Sequence, residues 1–536
     1  MYYATLKSVR ASIPTLAEPG LSYANIVDGV NSSFLLLTAA LVFCMQAGFA
    51  MITVGSVRKK NARHSLTTIC CDPCVGGVAY YVLGWGFAFD PVQNFTVSSP
   101  SLQPLSGITY FHSNGFIAYA HFALGGMQSP LTNDGVENGA TLFLWWFQFT
   151  FCLTAASIVA GAIAERVRIY PYMGFVFLMM GFVYPVISHA MWDENGWLNV
   201  GYKRGTDSNS IYGAAGSIDF AGSGVVHITG GAGAFVGAII IGPRIGRFDE
   251  NGKARPMPAH NASLAVLGGF LLWFGWFGFN PGSQLGTLGF VYDSSTNSGS
   301  ITTEAGPVAL AAINTLVLPA ACGWTTLLLV KIVDGSFDCV IMTNGFVCGL
   351  VVVTAPCSTV PTYSALCIGI IGAFVYFFGN KLVVRMGIDD PLEAIAVHAF
   401  GGTWGVLSCG FFSKPDYVAM TYGPPNGSGG VFYGYGKQLA AQVTEILYIW
   451  GFVSLIIGSY FLAMKFLGVL RVSPEEELAG VDVTVCGGHA YPDDDAGIEE
   501  DMDRLRQQHK DTAMGKTEGE ASSSDSPTGE EVEATV

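Results

Sequence analysis

Two stretches of this sequence follow one pattern: D-F-A-G-S-G-V-V-H-I-T-G-G at Asp219–Gly231 and D-P-L-E-A-I-A-V-H-A-F-G-G at Asp390–Gly402. In each, an aspartate is followed by a histidine and then by a glycine pair, with the spacing D-x7-H-x2-G-G. The two histidines, His227 and His398, lie inside apolar runs. Internal repeats are typical of membrane transporters, whose site lies near the bilayer midplane at the repeat interface. The pattern therefore predicts a duplicated membrane protein with a site where the two copies meet.

The composition also indicates a membrane protein. The chain has 536 residues, of which 51% are hydrophobic and 12% are charged, and its mean hydropathy is +0.44. Soluble domains carry about 25% charged residues, so the composition excludes a soluble single-domain enzyme and a disordered protein. The net charge of −15 argues against binding to a phosphate backbone, and we predict no nucleic-acid partner. The natural environment of such a chain is membrane lipid.

The predicted fold is an all-α polytopic membrane protein with eleven transmembrane helices. A spanning helix needs about 20 mainly apolar residues. Helices 5 and 10 carry the repeat and are separated by an odd number of spans, so the two halves have opposite topology. We therefore predict two inverted five-helix repeats plus an extra C-terminal helix. The predicted spans are near 34–55, 66–88, 140–164, 170–191, 218–242, 262–280, 305–331, 338–356, 363–385, 391–412 and 438–466.

The distribution of Lys and Arg predicts the orientation. The loops after the odd-numbered helices carry 13 Lys and Arg residues, whereas the even-numbered loops carry only four. By the positive-inside rule the odd-numbered loops are cytoplasmic, so the N-terminus is outside and the C-terminus inside. The predicted organisation is an extracellular segment 1–33, a transmembrane domain 34–466, a cytoplasmic membrane-proximal regulatory segment 467–492 and a tail 493–536.

The last 44 residues differ from the rest of the chain. They contain 14 acidic and 4 basic residues and few aromatic ones, which predicts a disordered tail. Candidate glycosylation sequons at Asn94 and Asn426 fall in the predicted outer loops, although a three-residue motif is a weak signal.

The paired histidines allow three readings. A single intramembrane histidine often makes a structural hydrogen bond to another helix. Two intramembrane histidines at matching repeat positions favour a functional pair that lines a pathway. Metal ligation is the third reading, but no cysteine or carboxylate stands at ligand spacing beside either histidine, and we predict neither a metal nor a cofactor. The glycine pairs, Gly230–Gly231 and Gly401–Gly402, would let a neighbouring helix come close.

The two aspartates of the repeat stand at the predicted starts of their helices. A carboxylate there complements the helix dipole and caps free N–H groups, and this structural role is the favoured reading for Asp219 and Asp390. Direct ligand contact is the alternative. In the predicted topology Asp219 faces the outside, where its charge can attract a cation, whereas Asp390 faces the inside.

Aromatic residues collect near the predicted outer mouth. Helix 3 carries F-Q-F-T-F, in which Phe147 and Phe151 share a face. Helix 6 carries W-F-G-W-F-G-F-N-P-G-S at Trp273–Ser283, and the loop after helix 4 places Trp192 near the same mouth. An interfacial aromatic belt explains such residues. The alternative is an aromatic cage with a hydroxyl, which suits a small cation through cation–π attraction.

With these motifs the sequence resembles the ammonium transporter (Amt/Mep/Rh) family, and it is most similar to the plant-type ammonium transporters. The resemblance covers about residues 34–491, with motifs in order from both halves. Besides the two repeat segments, it rests on F-C-M-Q-A-G-F-A-M (Phe43–Met51), G-A-I-A-E-R (Gly161–Arg166), G-F-V-Y-P-V-I-S-H (Gly181–His189), G-W-F-G-F-N-P-G-S (Gly275–Ser283) and D-V-T-V-C-G-G-H-A-Y (Asp482–Tyr491).

The resemblance implies a homotrimer in the plasma membrane with one pore per subunit, and a transporter rather than an enzyme. It also implies roles for particular residues. Ammonium is recruited at the outer mouth by a Trp, a Ser and a Phe, two stacked Phe gate the pore, two histidines line it, and an Asp begins helix 5. The recruiting residues correspond to Trp192, Ser283 and Phe151, and the gate corresponds to Phe151 and Phe279. The pore histidines correspond to His227 and His398, and the aspartate corresponds to Asp219.

The mechanism implied by the resemblance follows from the hydration of ammonium. Moving the ion through an apolar pore would cost many kcal/mol, so the cation is bound outside, loses its proton, and crosses as ammonia past the histidines. Separate transfer of the proton makes uptake electrogenic, and methylammonium is the expected analogue. The alternatives are an ammonium sensor that signals through its tail and a Rh-like electroneutral gas channel.

The membrane-proximal segment suggests a regulatory site. Thr484 stands where plant-type members carry a regulatory threonine, although Cys486 and Gly487 depart from the H-G that the family often has before A-Y. Phosphorylation adds about −1.5 to −2 of charge, and a kinase acting here would unseat the segment from the neighbouring subunit. The alternative is a solvated loop threonine.

Overall fold

The structure is a computed structural model, and it describes residues 23–89, 115–125, 139–193, 195–200, 216–293, 298–422 and 428–491. Asn94, Asn426, the acidic tail and most of the predicted N-terminal segment lie outside these residues. The described chain is mostly helical, and ten of its helices are long and apolar enough to cross a membrane. The expected polytopic helical architecture is therefore confirmed.

The long helices, numbered in chain order together with one shorter apolar helix, follow the predicted spans closely. They are α1 (Tyr23–Ser56), α2 (Lys59–Ala88), α3 (Gly139–Ile163), α4 (Ile169–Trp192), α5 (Ser223–Ile241), α6 (Ala262–Gly282), α7 (Ala305–Val333), α8 (Cys339–Val353), α9 (Thr362–Arg385), α10 (Ile395–Phe412) and α11 (Gly436–Phe466).

Several helix bounds differ from the expected ones. The first helix begins at Tyr23 rather than near residue 34. The helix α8 has only 15 residues, fewer than the roughly 20 that a bilayer core needs, and it continues into buried turns at 354–360. With the ten long helices, α8 makes eleven apolar helices in the described residues.

A β-hairpin follows α6 and departs from the predicted all-α fold. Strands β1 (Leu288–Asp293) and β2 (Ser298–Thr303) pair antiparallel, with Leu288 opposite Thr303. The segment lies between the predicted spans 262–280 and 305–331. Its aromatic and β-branched residues, however, favour a hairpin.

Short elements complete the described chain. A helix at Pro415–Tyr422 precedes α11, single 3₁₀ turns occur at Phe122–Leu124 and Val431–Tyr433, and two short helices, α12 (Pro474–Ala479) and α13 (Val481–Val485), follow α11.

Helix packing depends on small residues at the crossings. The first helices of the two halves, α1 and α6, pack along each other so closely that a Cβ on Gly55 would lie 2.4 Å from the Ala265 nitrogen. The helices α5 and α10 cross near the centre, and α5 also packs on α3 and α11. The first six residues of each, Ser223–Ile228 and Ile395–Phe400, form π-helical turns. Such turns are rare and are frequent at functional sites.

Candidate functional site

The repeat brings the two histidines together. The Nδ1 atoms of His227 and His398 lie 3.3 Å apart, and the rings lie nearly parallel with centroids 5.3 Å apart. One Nδ1 must donate and the other accept, so the pair shares a single N–H across this contact. The His227 side chain is fully buried and His398 is 6% exposed. The two imidazoles therefore form one hydrogen-bonded unit where α5 meets α10.

The second glycine of each pair makes this contact possible. A Cβ on Gly231 would lie 2.3 Å from the Ala399 nitrogen, and a Cβ on Gly402 would lie 2.6 Å from the Ser223 carbonyl oxygen. The first glycines, Gly230 and Gly401, face α3 and α8 instead. Only glycine permits the backbones of α5 and α10 to approach this closely.

Asp219 and Asp390 cap the π-helical turns, as expected for carboxylates at the start of a helix. Asp219 Oδ1 accepts from the Gly222 amide at 3.1 Å, and Oδ2 accepts from the amides of Gly224 at 3.0 Å and Val225 at 2.9 Å. Asp390 Oδ2 accepts from the Ile395 amide at 2.7 Å. The helices begin a few residues after these aspartates because the carboxylates satisfy the first free N–H groups.

The aromatic residues expected at the outer mouth lie in one cluster. Phe151 and Phe279 are stacked with centroids 3.9 Å apart, and Phe151 meets the ring of Trp192 edge-on at 5.9 Å. The Trp192 indole N–H donates to the Asp219 carbonyl at 2.9 Å, and the Ser283 hydroxyl donates to the Phe279 carbonyl at 3.0 Å. The structure thus joins Trp192, Phe151 and Phe279 in one ring cluster, with Ser283 bonded to the Phe279 backbone and Trp192 to the Asp219 backbone.

The phenylalanine pair leads directly to the histidines. The rings of Phe279 and His227 are stacked with centroids 5.8 Å apart. On the same helix, Trp276 stacks on His227 at 5.2 Å and donates its indole N–H to Thr354 Oγ1 at 2.9 Å. The rings of Phe151, Phe279, His227 and His398 form a continuous series, which we call the ring column.

Trp276 is a part of the site that the sequence analysis did not single out. Trp276 lies within the aromatic stretch of helix 6. Its position three residues before Phe279 places both rings on one helix face, and that spacing was the available signal.

A small cavity lies at the far end of the ring column. It has a volume of about 30 Å³ and is lined by His398, Ser157, Asn344, Thr53 and apolar side chains. This volume and polar lining suit one water molecule. The imidazole of His398 therefore has a polar space on the side away from the phenylalanines.

Charged residues form a buried network at the end of the bundle that carries the odd-numbered loops. Glu165 is paired with Arg58 and Arg244, and Arg244 Nε also bonds Asp389 Oδ2 at 2.8 Å. Burial opposes ionisation of Glu165, but the two guanidinium groups hold its pKa below the usual value. Burial likewise opposes ionisation of Asp389, yet the hydrogen bonds and charge of neighbouring arginines lower its pKa to about 2. The network joins the loops after α1, α3, α5 and α9.

The membrane-proximal segment packs on these same loops. The Asp482 carboxylate accepts from the backbone amides of Arg63 and His64 at 2.9 and 2.8 Å. Glu477 Oε1 accepts from the Ile245 amide at 2.7 Å. Thr484 lies exposed on α13 and donates its hydroxyl to the Gly480 carbonyl at 3.0 Å. The segment thus contacts several loops, while the threonine hydroxyl stays at the surface.

Within the described residues there is no group of three or more His, Cys, Asp or Glu side chains placed to hold a metal ion.

Comparison with known proteins gives a consistent result. A sequence model of the Ammonium Transporter Family matches residues 33–491. The chain is 38% identical over 487 residues to ammonium transporter 1 member 3 of Solanum lycopersicum, covering 90% of this chain and 96% of the tomato protein. Among solved structures, a protein named Sensor Amt Protein has a TM-score of 0.69 at 28% identity, covering 86% of this chain and 99% of that one. Saccharomyces cerevisiae Mep2 has a TM-score of 0.66 at 25% identity, covering 83% and 88%.

Proposed function

The chain belongs to the Ammonium Transporter Family, and from this membership we propose that it carries ammonium across a membrane. The observation that supports this function best is the ring column, in which an aromatic cluster, a phenylalanine pair and a histidine pair follow one another without a break. The family is one of transporters, and the protein is accordingly not assigned an enzymatic activity.

We place ammonium recruitment at the aromatic cluster. Trp192 and Phe151 offer ring faces to a small cation, and Ser283 offers a hydroxyl oxygen. Asp219 lies behind this cluster and is 3% exposed, so its role is to hold the backbone that orients Trp192 and to contribute negative potential. Its carboxylate oxygens already accept from three backbone amides, which favours this structural role over direct ligand contact.

Beyond the cluster, the apolar phenylalanine gate excludes the hydrated cation. Desolvating a charged group in an apolar passage costs far more than desolvating a neutral amine, so ammonium gives up its proton at the gate and ammonia passes on. The shared N–H of His227 and His398 provides a hydrogen-bonded step for the proton toward the cavity beyond His398. Transfer of both species makes uptake electrogenic.

The same proposal includes the topology and assembly. We infer eleven spans, counting α8, as two inverted five-helix repeats plus α11, with the N-terminus outside and the C-terminus inside. The protein is proposed to be a homotrimer in the lipid of the plasma membrane. In this topology the charged network and the segment 467–492 face the cytoplasm, and the sequons at Asn94 and Asn426 face outward.

Regulation is proposed to act through Thr484. Its exposed hydroxyl is accessible to a kinase, and phosphate would add negative charge close to Asp482, which holds the segment on the first turns of α2. A Thr484→Asp variant should transport less ammonium than Thr484→Ser at equal surface abundance. Equal uptake by the two variants would count against this switch.

A sensor is the second candidate function, because a solved structure similar to this chain is named Sensor Amt Protein. A Rh-like gas channel is the third. Yeast that lacks its own ammonium transporters distinguishes a transporter from a sensor, since only transport restores growth on low ammonium. Ammonium-evoked inward current in oocytes then separates electrogenic transport from an electroneutral channel. Growth without current would favour the gas channel, and neither response from surface-expressed protein would favour the sensor.

A further inference from the structure

A second carboxyl group lies against Asp219 and has no place in the ring column. It belongs to Glu445 of α11, whose fully buried side chain lies next to that of Asp219. Gly224 lies beside both: a Cβ there would come within 2.0 Å of Glu445 Oε1 and 3.1 Å of Asp219 Oδ2. Two carboxyl groups therefore meet inside the bundle, next to the outer aromatic cluster.

The surroundings of Asp219 are those of an ionised carboxylate. Its two oxygens accept from the three backbone amides described above, and an amide can only donate. An ionised carboxylate accepts such bonds more strongly than a neutral acid does. The negative charge is therefore best assigned to Asp219.

The surroundings of Glu445 leave room for one proton at Oε1. Its Oε2 lies within hydrogen-bond distance of the Ser217 hydroxyl, whose single proton has a second acceptor in Gln442 Oε1 at 2.9 Å. Oε1 has no N–H or hydroxyl donor among the described residues. The neighbouring amide of Gln442 is oriented independently, because its Oε1 accepts from the Ile218 amide at 2.7 Å and its Nε2 donates to the Ile218 carbonyl at 2.8 Å. No other side chain thus supplies a donor between the two carboxyl groups.

Charge leads to the same assignment. In the described residues no Lys or Arg forms an ion pair with either carboxyl group. The other titratable groups that face the pair are Tyr184, Cys357 and Cys409, which are ordinarily neutral at pH 7. Two adjacent ionised carboxylates without a cation would repel each other strongly.

We propose that Glu445 is a neutral carboxylic acid that donates its proton from Oε1 to Asp219, and that it acts as a positioning residue for the outer ammonium site. The line of contacts runs from Glu445 to the Asp219 side chain, and from the Asp219 carbonyl to the indole N–H of Trp192. The positioning role rests on the proposed transport function. The proposed protonation state of Glu445 does not depend on the transport function.

The substitution Glu445→Gln tests the positioning role, because its amide keeps the shape and donates from nearly the same place. This variant should transport within about twofold of wild type, with an unchanged pH profile from about pH 5.5 to 8.5, because the amide is a neutral donor like the acid it replaces. Glu445→Leu removes the donor and should lower transport about tenfold or more. Loss of transport in Glu445→Gln to the level of Glu445→Leu, or a displaced pH profile, would overturn the proposal.

Infrared spectroscopy tests the protonation state without any transport measurement. Purified wild-type protein should show a protonated-carboxyl C=O band that is absent from Glu445→Gln. The control Glu250→Gln removes an exposed carboxylate and should leave that band unchanged. A wild-type spectrum identical to that of Glu445→Gln in this region would contradict the assignment. A protein that carries no ammonium but keeps the band would overturn the transport function alone.

Discussion

Single side chains at the outer end of the ring column are held by backbone carbonyls. The Trp192 indole is anchored to the Asp219 carbonyl, and the Ser283 hydroxyl is anchored to the carbonyl one turn earlier in its own helix. These bonds leave the indole ring and the hydroxyl oxygen available to a cation. Because these groups are already ordered, binding a cation costs little further conformational entropy.

Replacing Trp192 by leucine tests this recruitment site. The variant loses the indole ring and its N–H bond, and cation–π attraction of about 0.5–2 kcal/mol corresponds to a two- to thirtyfold change in affinity. We expect the KM for ammonium-evoked current to rise by about that factor. The control is Trp324→Leu, because Trp324 is 61% exposed on α7, and its KM should stay at the wild-type value.

The residues of the site differ in how far the sequence alone predicts them. The pairing of His227 with His398 was predicted because the repeat marks both positions. No sequence motif indicates Glu445, because it is a single glutamate in α11. Its partner Asp219 is also far away in the sequence. Contacts of this kind depend on how helices from different parts of the chain pack, which periodicity does not reveal.

At the scale of helices, the π-helical turns of α5 and α10 and their glycines bring the histidines together. The predicted starts near 218 and 391 lie before the observed starts at Ser223 and Ile395. An apolar run shows where a span lies, but the first residues of these runs are arranged around the capping carboxylates instead. Helix existence was therefore predictable, and the geometry of the first turn was not.

Adding one methyl group at the helix crossing should be damaging. In Gly231→Ala the new Cβ would lie 2.3 Å from the Ala399 nitrogen, so the backbones must separate, at a cost of about 1–3 kcal/mol. We expect a lower unfolding temperature in detergent and loss of ammonium uptake. Gly451→Ala is the matched control in α11, since nothing lies within 4 Å of its Cβ, and it should be neutral or stabilising by up to about 1 kcal/mol. Equal stability and uptake in the two variants would disprove the close crossing.

At the scale of the whole molecule, the buried charged network joins the loops at one end of the bundle to the membrane-proximal segment. The sequence predicted that these loops share one side, because they hold most of the Lys and Arg residues. It did not predict which arginine meets which carboxylate. Arg244 binds both Glu165 and Asp389, and these three residues come from different loops.

Asp389→Asn should destabilise the protein in a pH-dependent way. The pKa of Asp389 is lowered from 3.8 to about 2 in the folded protein, so its ionised form stabilises the fold above pH 4 and that contribution is lost as the pH falls toward 2. We expect the variant to lose about 2–4 kcal/mol at neutral pH. Unfolding in detergent should show a constant difference from wild type at pH 5–8 and a smaller one below pH 4. A difference that does not depend on pH would refute the ionised network.

The central claim is that ammonia and a proton cross the membrane through the ring column past the histidine pair. The most direct measurement is ammonium-evoked current in voltage-clamped oocytes that express wild type, the double variant His227→Leu/His398→Leu, or the control His121→Leu, at equal surface abundance. His121 bonds the Gly125 carbonyl in the segment between α2 and α3, outside the column. We predict a saturable inward current in wild type and the control and none in the double variant. An undiminished current in the double variant would contradict the account.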